Sequence, residues 1–309
     1  MQTRWFPRAA AFASLVLAGG LIGCGSSDGP PSATPRATPA VAGTPTGQGP
    51  WLNDLRIASS TDGRTFDSAT LFQKSSGVPS LARLPDGRLL AAFQWFPDLS
   101  SPAWDRVAVK QSSDNGRTWS EPQAILVNGL PSSYTRPFDP TLVVLPDGRI
   151  RVYFTSNPEG QTQTASDKNG FYSAISTDGV SYTWEPGTRF WPGKSVVDCA
   201  AIYFDGRVHL MAPVMGSAAA YHTASRDGLD LVRLDDVPSL EGENWTGNLL
   251  SFPGGLRFYG TSSMGGRGMW YRESADGGAW TSPRYLGING GDPAVVQASD
   301  GRYWIVFVS

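Results

Sequence analysis

Cysteine, histidine and charge are all scarce in this chain. Its 309 residues include two cysteines and two histidines, and only 17% of them are charged, for a formal net charge of −2. That balance leaves no basic patch, which excludes nucleic acid as a partner. The histidines, His209 and His222, fall in strand-like segments with no metal-ligand spacing and read as packing residues. No zinc spacing, phosphate-binding loop or Ser-His-Asp pattern is present, and no cofactor is required. What the chain has in quantity is 36 glycines, 24 prolines, 11 tryptophans, 14 phenylalanines and 10 tyrosines. This is the composition of a loop-rich β protein with aromatic platforms to offer.

The first residues carry Arg4 and Arg8 and then an apolar run from Ala9 to Ala18. That run is too short for a spanning helix, and residues 1–23 read as a signal peptide. It ends in Leu21-Ile22-Gly23-Cys24, which resembles a bacterial lipobox. The resemblance implies cleavage before Cys24, lipid on its thiol and an extracytoplasmic cell-envelope lipoprotein at the outer membrane or cell surface. The anchor would be its only contact with a membrane. Residues 24–50 are rich in Pro, Gly, Ser, Thr and Ala and read as a disordered tether. With Cys24 lipidated, Cys199 has no partner, so the core alone must hold the fold. Residues 51–309 suffice for one large all-β domain, expected to be a monomer.

Two phrases alternate along that domain. The first is Ser-x-Asp followed by Gly and then, in most copies, an aromatic. It starts at Ser60, Ser112, Ser176, Ser225 and Ser274. The second is an Asp-Gly or Gly-Gly turn between apolar runs, at Asp86-Gly87, Asp147-Gly148, Asp205-Gly206, Gly254-Gly255 and Asp300-Gly301. Asp-Gly between apolar runs marks a tight hairpin, because glycine accepts the positive φ of a primed turn. The order strand, Asp-Gly turn, strand, loop, strand, Ser-x-Asp turn, strand makes one blade of four antiparallel strands. Repetition at this period specifies a radial array. Five inner strands are countable, yet the first Ser-x-Asp turn precedes any of them and the last inner pair lacks outer strands. Both facts are met if residues 54–73 supply the outer strands of the last blade. The expected fold is a five-bladed β-propeller closed by its N-terminal strands.

Ser112 to Trp119 resembles the Asp-box of bacterial neuraminidases and other secreted glycan-handling propellers. The resemblance covers the domain as a repeat pattern and implies that Asp62, Asp114, Asp178, Asp227 and Asp276 are structural rim residues. It departs from the sialidases where their chemistry resides. Gly77 stands where their substrate-gripping arginine would be, and Gly290-Gly291-Asp292 where their nucleophilic tyrosine would be. Asp105 is the one residue matching their acid/base. Sialidases also have six blades. Sialic acid hydrolysis therefore ranks third among the functions considered.

Counting back from the Asp-Gly turns puts Val78, Asp139, Asp198, Thr246 and Asp292 at one level, at the start of the inner strands. Inner strands line the central channel, so three carboxyls are expected to converge at its mouth, with at least one pKa raised. Three roles suit such a column: capping of turn N–H groups, acid/base chemistry on a glycosidic bond, or coordination of Ca²⁺.

Arg136-Pro137-Phe138-Asp139-Pro140, Val197-Asp198-Cys199 and Gly291-Asp292-Pro293 resemble inner-strand motifs of five-bladed arabinanase- and invertase-type glycoside hydrolases. The resemblance implies Asp292 as base or nucleophile, Asp139 as the tuning residue and Asp198 as the acid. It departs from that clan in having Asp where the clan's acid is Glu, and in placing the base in the last blade. Arg136, Phe138, Trp191, Asn244, Trp245 and Asp105 are the candidate substrate-binding residues. The expected function is that of a lipid-anchored glycoside hydrolase acting on carbohydrate at the channel mouth. The alternative is a non-catalytic surface propeller that binds glycan or protein.

Overall fold

The structure is a computed structural model and describes residues 49–160, 166–240, 242–262 and 267–309. The expected signal peptide, the lipidation site Cys24 and the tether up to residue 48 lie outside the described residues. Among the described residues no helix is long and apolar enough to cross a membrane.

Five small sheets form the ring. Blade 1 runs through Ser76–Arg83, Leu89–Trp95, Arg106–Ser112 and Gln123–Ala124. Blade 2 runs through Phe138–Val144, Ile150–Ser156, Gly170–Ser176 and Ser181–Phe190. Blade 3 comprises Ala200–Phe204, Arg207–Pro213, Ala219–Ser225 and an outer edge broken into Val232–Arg233 and Val237–Pro238. Blade 4 comprises Glu243–Phe252, Gly255–Ser262, Met269–Ser274 and Arg284–Tyr285. Blade 5 takes Gly291–Gln297 and Tyr303–Val308 from the C-terminal end of the chain, then Leu55–Ser60 and Thr70–Gln73 from the N-terminal side. Leu55–Ser60 pairs antiparallel with Tyr303–Val308 over six residue pairs, which is the closure the repeat count required. One strand was not anticipated. Leu126–Asn128 adds to the outer edge of blade 2 in parallel with Ser181–Thr183.

In blades 1 to 4 the second strand is covered on both faces by neighbouring blades, so burial runs almost unbroken along it rather than alternating, and in blade 1 the sequence is a continuous apolar run. Leu89, Leu90, Ala91, Ala92 and Phe93 are all fully buried. The core is accordingly divided into five clusters, one in each seam. Leu90 and Val109 meet Leu142, Phe154 and Trp184 between blades 1 and 2, for example, while Ala58, Val295 and Phe307 meet Leu250 and Tyr259 between blades 4 and 5.

The Ser-x-Asp turns lock these seams. In each, the serine hydroxyl accepts the glycine N–H, at 2.8 to 3.1 Å. The aspartate accepts further backbone N–H groups, at Arg64 and Thr65 in the first turn for instance. Each turn then docks on the preceding blade, over the second or third residue of that blade's second strand. Gly179 sits on Leu90, Gly228 on Arg151, Gly277 on His209 and His222, Gly63 on Arg257, and Gly116 on Trp304. Arg151 donates to Asp227 O (2.6 Å) and Tyr153 to Gly228 O (2.7 Å). Tyr259 likewise donates to Gly63 O (2.7 Å) and Trp304 to Asn115 O (2.6 Å). These turns lie at the opposite strand ends from the inner-strand starts.

Candidate active site

Four inner strands begin with the same backbone irregularity. Val78, Asp139, Asp198 and Asp292 have φ of 47°, 50°, 57° and 47°, the left-handed region. In blades 1, 2 and 5 the residue sits in a bulge, where pairing jumps from Gly77 to Ser80, Phe138 to Thr141 and Gly291 to Ala294. Such backbone costs about 1–3 kcal/mol per residue and persists only where the surrounding sheet imposes it. Val78, being β-branched, suits it least. Strained residues at one level of four blades mark that level as a built site.

The channel mouth reverses the electrostatics of the rim. Rim aspartates are held below the ordinary carboxylate range by their hydrogen bonds; Asp114 and Asp227 fall to about 2. At the mouth the shifts are upward. Asp139 is 8% exposed, and burial, opposed by Thr155 and reinforced by the charge of Asp292, pushes its carboxyl to about 7. Burial and then the charges of Asp139 and Asp292 push Asp198 well above the ordinary range. Asp292 is raised by burial and held back by a hydrogen bond from Thr246. Asp198 and Asp292 are partly exposed. Three carboxyls from blades 2, 3 and 5 therefore share one electrostatic neighbourhood, in which they do not all ionise together. Among the described residues no three His, Cys, Asp or Glu side chains gather around a point fit for one metal ion.

The other predicted residues separate into three groups. Arg136 and Asp105 form one unit: Arg136 pairs with the Asp105 carboxylate through Nη2, and Nε donates to the Asp105 carbonyl at 2.7 Å. Gln94 donates to the other Asp105 oxygen at 2.5 Å. Both oxygens of Asp105 are thus engaged, and the residue, itself left-handed at φ 55°, anchors Arg136 three positions before Asp139. Phe138 and Asn244 are partly exposed and occupy matching places, opposite Thr155 and Thr261 on the second strands. Trp191 is 45% exposed and lies between the last strand of blade 2 and the first of blade 3.

Trp245 requires a correction. It is 1% exposed, packed against Phe258, Trp270 and Trp280 and bonded through its indole N–H to Ser239, so it offers no face to a sugar. The cause is local. In blade 4 pairing jumps from Asn244 to Gly247 while the facing strand advances only from Thr261 to Gly260. The extra residue turns Trp245 into the core and leaves Thr246 at the level of the aspartates.

Sequence reasoning missed the hydroxyls that hold the carboxyls. Thr155 donates to Asp139 Oδ2 (3.2 Å), and Thr261 Oγ1 accepts the Asp292 N–H (2.8 Å). Both lie on second strands, and only the pairing register brings them to the mouth. Counting across the Asp-Gly turns would have found Thr155.

No protein-family model and no curated protein matches the sequence. The fold is similar to solved structures of glycoside hydrolases. A family 117 glycoside hydrolase from Zobellia galactanivorans is 13% identical with a TM-score of 0.55, covering 84% of this chain and 92% of its own. An α-L-arabinofuranosidase from Clostridium thermocellum is 13% identical with a TM-score of 0.55, covering 75% of this chain and 81% of its own. A β-fructofuranosidase from Bombyx mori is 16% identical with a TM-score of 0.54, covering 74% of this chain and 54% of its own. At these identities the likeness is one of fold.

Proposed function

We propose that the protein is a glycoside hydrolase acting on carbohydrate at the channel mouth, carried on the cell envelope by a lipid on Cys24. The observation behind this reading is the trio Asp139, Asp198 and Asp292: three carboxyls on strained backbone, from three blades, each with a raised pKa and each subject to different hydrogen bonding. A glycosidase needs one carboxyl protonated and another ionised on either side of the scissile bond. Among the described residues Asp198 has no hydrogen-bond donor on its carboxyl and feels both neighbouring charges, which suits the acid. The rise at Asp292 is opposed by Thr246, which suits the base or nucleophile. Asp139 accepts the Thr155 hydroxyl at 3.2 Å and feels the charge of Asp292, which suits a tuning role. In the reaction Asp198 gives its proton to the glycosidic oxygen as the C–O bond breaks. Asp292 takes a proton from the attacking water, or bonds the anomeric carbon itself. Arg136 and Phe138, next to Asp139 in the sequence, and Asn244 and Trp191 are the residues proposed to bind the sugar.

The similar folds that carry glycosidase names support the reading. The proposed mechanism routes no step through a metal. The test is a screen of glycans and aryl glycosides with the domain from Gly49, beside Asp198→Asn and Asp292→Asn. Each substitution is expected to lower kcat/KM about 100-fold or more, the usual contribution of a positioned acid or base. Hydrolysis unchanged in both variants removes the trio from the mechanism. Glycan binding with no turnover on any substrate would make the protein a binding propeller instead.

A further inference from the structure

The pairing of Arg136 with Asp105 joins two blades at the mouth. Gln94 stands near the end of the second strand of blade 1, opposite Gly77, the neighbour of Val78 in the column. Its side-chain amide donates to one oxygen of Asp105 at 2.5 Å, and the other oxygen takes Nη2 of Arg136. Nε of Arg136 donates to the Asp105 carbonyl at 2.7 Å. Arg136 itself lies in the segment that enters blade 2. Thr135, just before it, is buried and fastened to the end of that blade's second strand: its N–H donates to the Asn157 carbonyl at 2.8 Å, and its own carbonyl accepts the Ser156 hydroxyl at 2.7 Å. The guanidinium is thus held through its backbone by blade 2 and through its head group by blade 1. Nη1, its remaining nitrogen, has no partner among the described residues. The Arg136 side chain is 31% exposed, which leaves it open to a ligand, whereas that of Asp105 is 16% exposed.

The arginine with which sialidases would grip an acidic sugar is absent at Gly77, and Arg136 reaches the neighbourhood of Gly77 from the next blade through Asp105 and Gln94. Its charge, however, is already balanced. We infer that Asp105 is a specificity-determining residue that neutralises Arg136, so that the mouth takes uncharged sugars and Arg136 serves them as a hydroxyl donor through Nη1. The inference rests on the proposed hydrolase reading for the place of the sugar. An acidic sugar would have to draw Arg136 away from Asp105 and leave a largely buried carboxylate unpaired, which is strongly unfavourable. It would also bring its own negative charge toward Asp139, Asp198 and Asp292, where like charges already oppose one another. A neutral sugar meets neither opposition, and its hydroxyls accept from Nη1. The cations of the adjoining segments, Arg106 and Lys194, are exposed, and an ion pair in water contributes little.

The experiment compares the full chain with its Asp105→Asn and Asp105→Glu variants. Asparagine keeps the shape, tolerates the φ of 55° at this position and removes the charge; glutamate keeps the charge. The probes are matched aryl glycosides and aryl uronides of glucose and galactose, read as kcat/KM, and neutral galacto-oligosaccharides beside oligogalacturonates, read as Kd by calorimetry. Wild type is expected to favour the neutral member of each pair by about tenfold or more, the scale of one charge-assisted hydrogen bond. In Asp105→Asn that ratio is expected to fall about tenfold, and in Asp105→Glu to stay near that of wild type. A wild type that favours the acidic member overturns the inference, as do a ratio unchanged in Asp105→Asn and a ratio that falls equally in Asp105→Glu. If nothing is hydrolysed, the ratio of Kd values decides the inference on its own while the hydrolase reading falls; binding of neither class overturns the inference as well. Should Asp105→Asn not fold, the double variant Asp105→Asn with Arg136→Gln puts an amide pair in place of the ion pair. It is expected to keep the wild-type ratio, because the net charge is the same. A neutral preference that rises about tenfold in the double variant shows Arg136 gripping acids and overturns the inference.

Discussion

His209 Nδ1 lies 3.0 Å from His222 Nε2, with both rings tucked beneath the turn glycine Gly277 in the seam between blades 3 and 4. The corresponding sockets in the other seams hold Leu90, Arg151, Arg257 and Trp304, none of which changes charge near neutral pH. Here one ring nitrogen must donate and the other accept, which two imidazolium ions do not allow. Burial and then the neighbouring His209 lower His222 to about 4. Burial and then Arg207 lower His209, with Asp205 and Asp276 opposing. A histidine with a folded pKa below its unfolded one gives stability that is complete above the unfolded value of 6.5 and lost as pH falls toward 4. The expected outcome is a Tm advantage of wild type over His222→Gln at about pH 8 that shrinks steadily toward about pH 4. Thermal unfolding of both proteins over that range reads it. An advantage that does not change with pH would show that the pair does not titrate on folding.

The sockets also make a prediction about two glycines with nearly the same backbone. Gly116 has φ 87° and a side chain there would collide with the Trp304 indole; Gly301 has φ 85° and nothing within 4 Å. Gly301→Ala is expected to cost about 1 kcal/mol, the price of a left-handed non-glycine residue. Gly116→Ala carries that cost and a further 1–3 kcal/mol or so for overpacking the seam that joins blade 5 to blade 1. Urea midpoints of the two variants measure the difference directly. Equal losses would mean that the turn does not seat on Trp304 tightly enough to close the ring.

Much of this architecture was legible because turns repeat. The Asp-Gly and Ser-x-Asp phrases gave the blade count, the borrowed strands at Leu55–Ser60 and Thr70–Gln73, and the level shared by Asp139, Asp198 and Asp292. Position along a strand can be counted from a turn, and these residues are defined by position. What stayed hidden depends on partners. Thr155 and Thr261 matter only through the register of a second strand, and the His209–His222 contact joins Arg207–Pro213 to Ala219–Ser225, which read separately as two packing residues. Trp245 failed for the opposite reason. Its blade carries one residue more in the bulge than the others do, and a single residue is enough to exchange mouth for core.

The column makes its own prediction about stability, and the sign is opposite to that of the histidine seam. Asp139 has a folded pKa of about 7 against an ordinary value of 3.8. A carboxyl raised in this way stabilises the fold fully below its unfolded pKa, and that contribution is lost as pH rises through the folded value. Above neutral pH the protein therefore carries a buried charge beside Asp292 at a cost to stability. Asp139→Asn keeps the shape and an oxygen for Thr155 and the Asp198 N–H, and removes the charge. It is expected to be more stable than wild type by on the order of 2 kcal/mol at about pH 8, since a tenfold difference in proton affinity between folded and unfolded chains corresponds to about 1.4 kcal/mol. The advantage should fade as pH falls below the ordinary value of 3.8, where wild type becomes protonated in both states. For a domain of this size each kcal/mol moves Tm by about 2–4 °C. Activity is expected to fall in the same variant, the signature of a site that keeps an unfavourable charge for its chemistry. If Asp139 merely caps backbone groups, Asp139→Asn is instead no more stable than wild type at any pH. Two melting series, wild type and variant, distinguish the capping role from the tuning role without any substrate in hand.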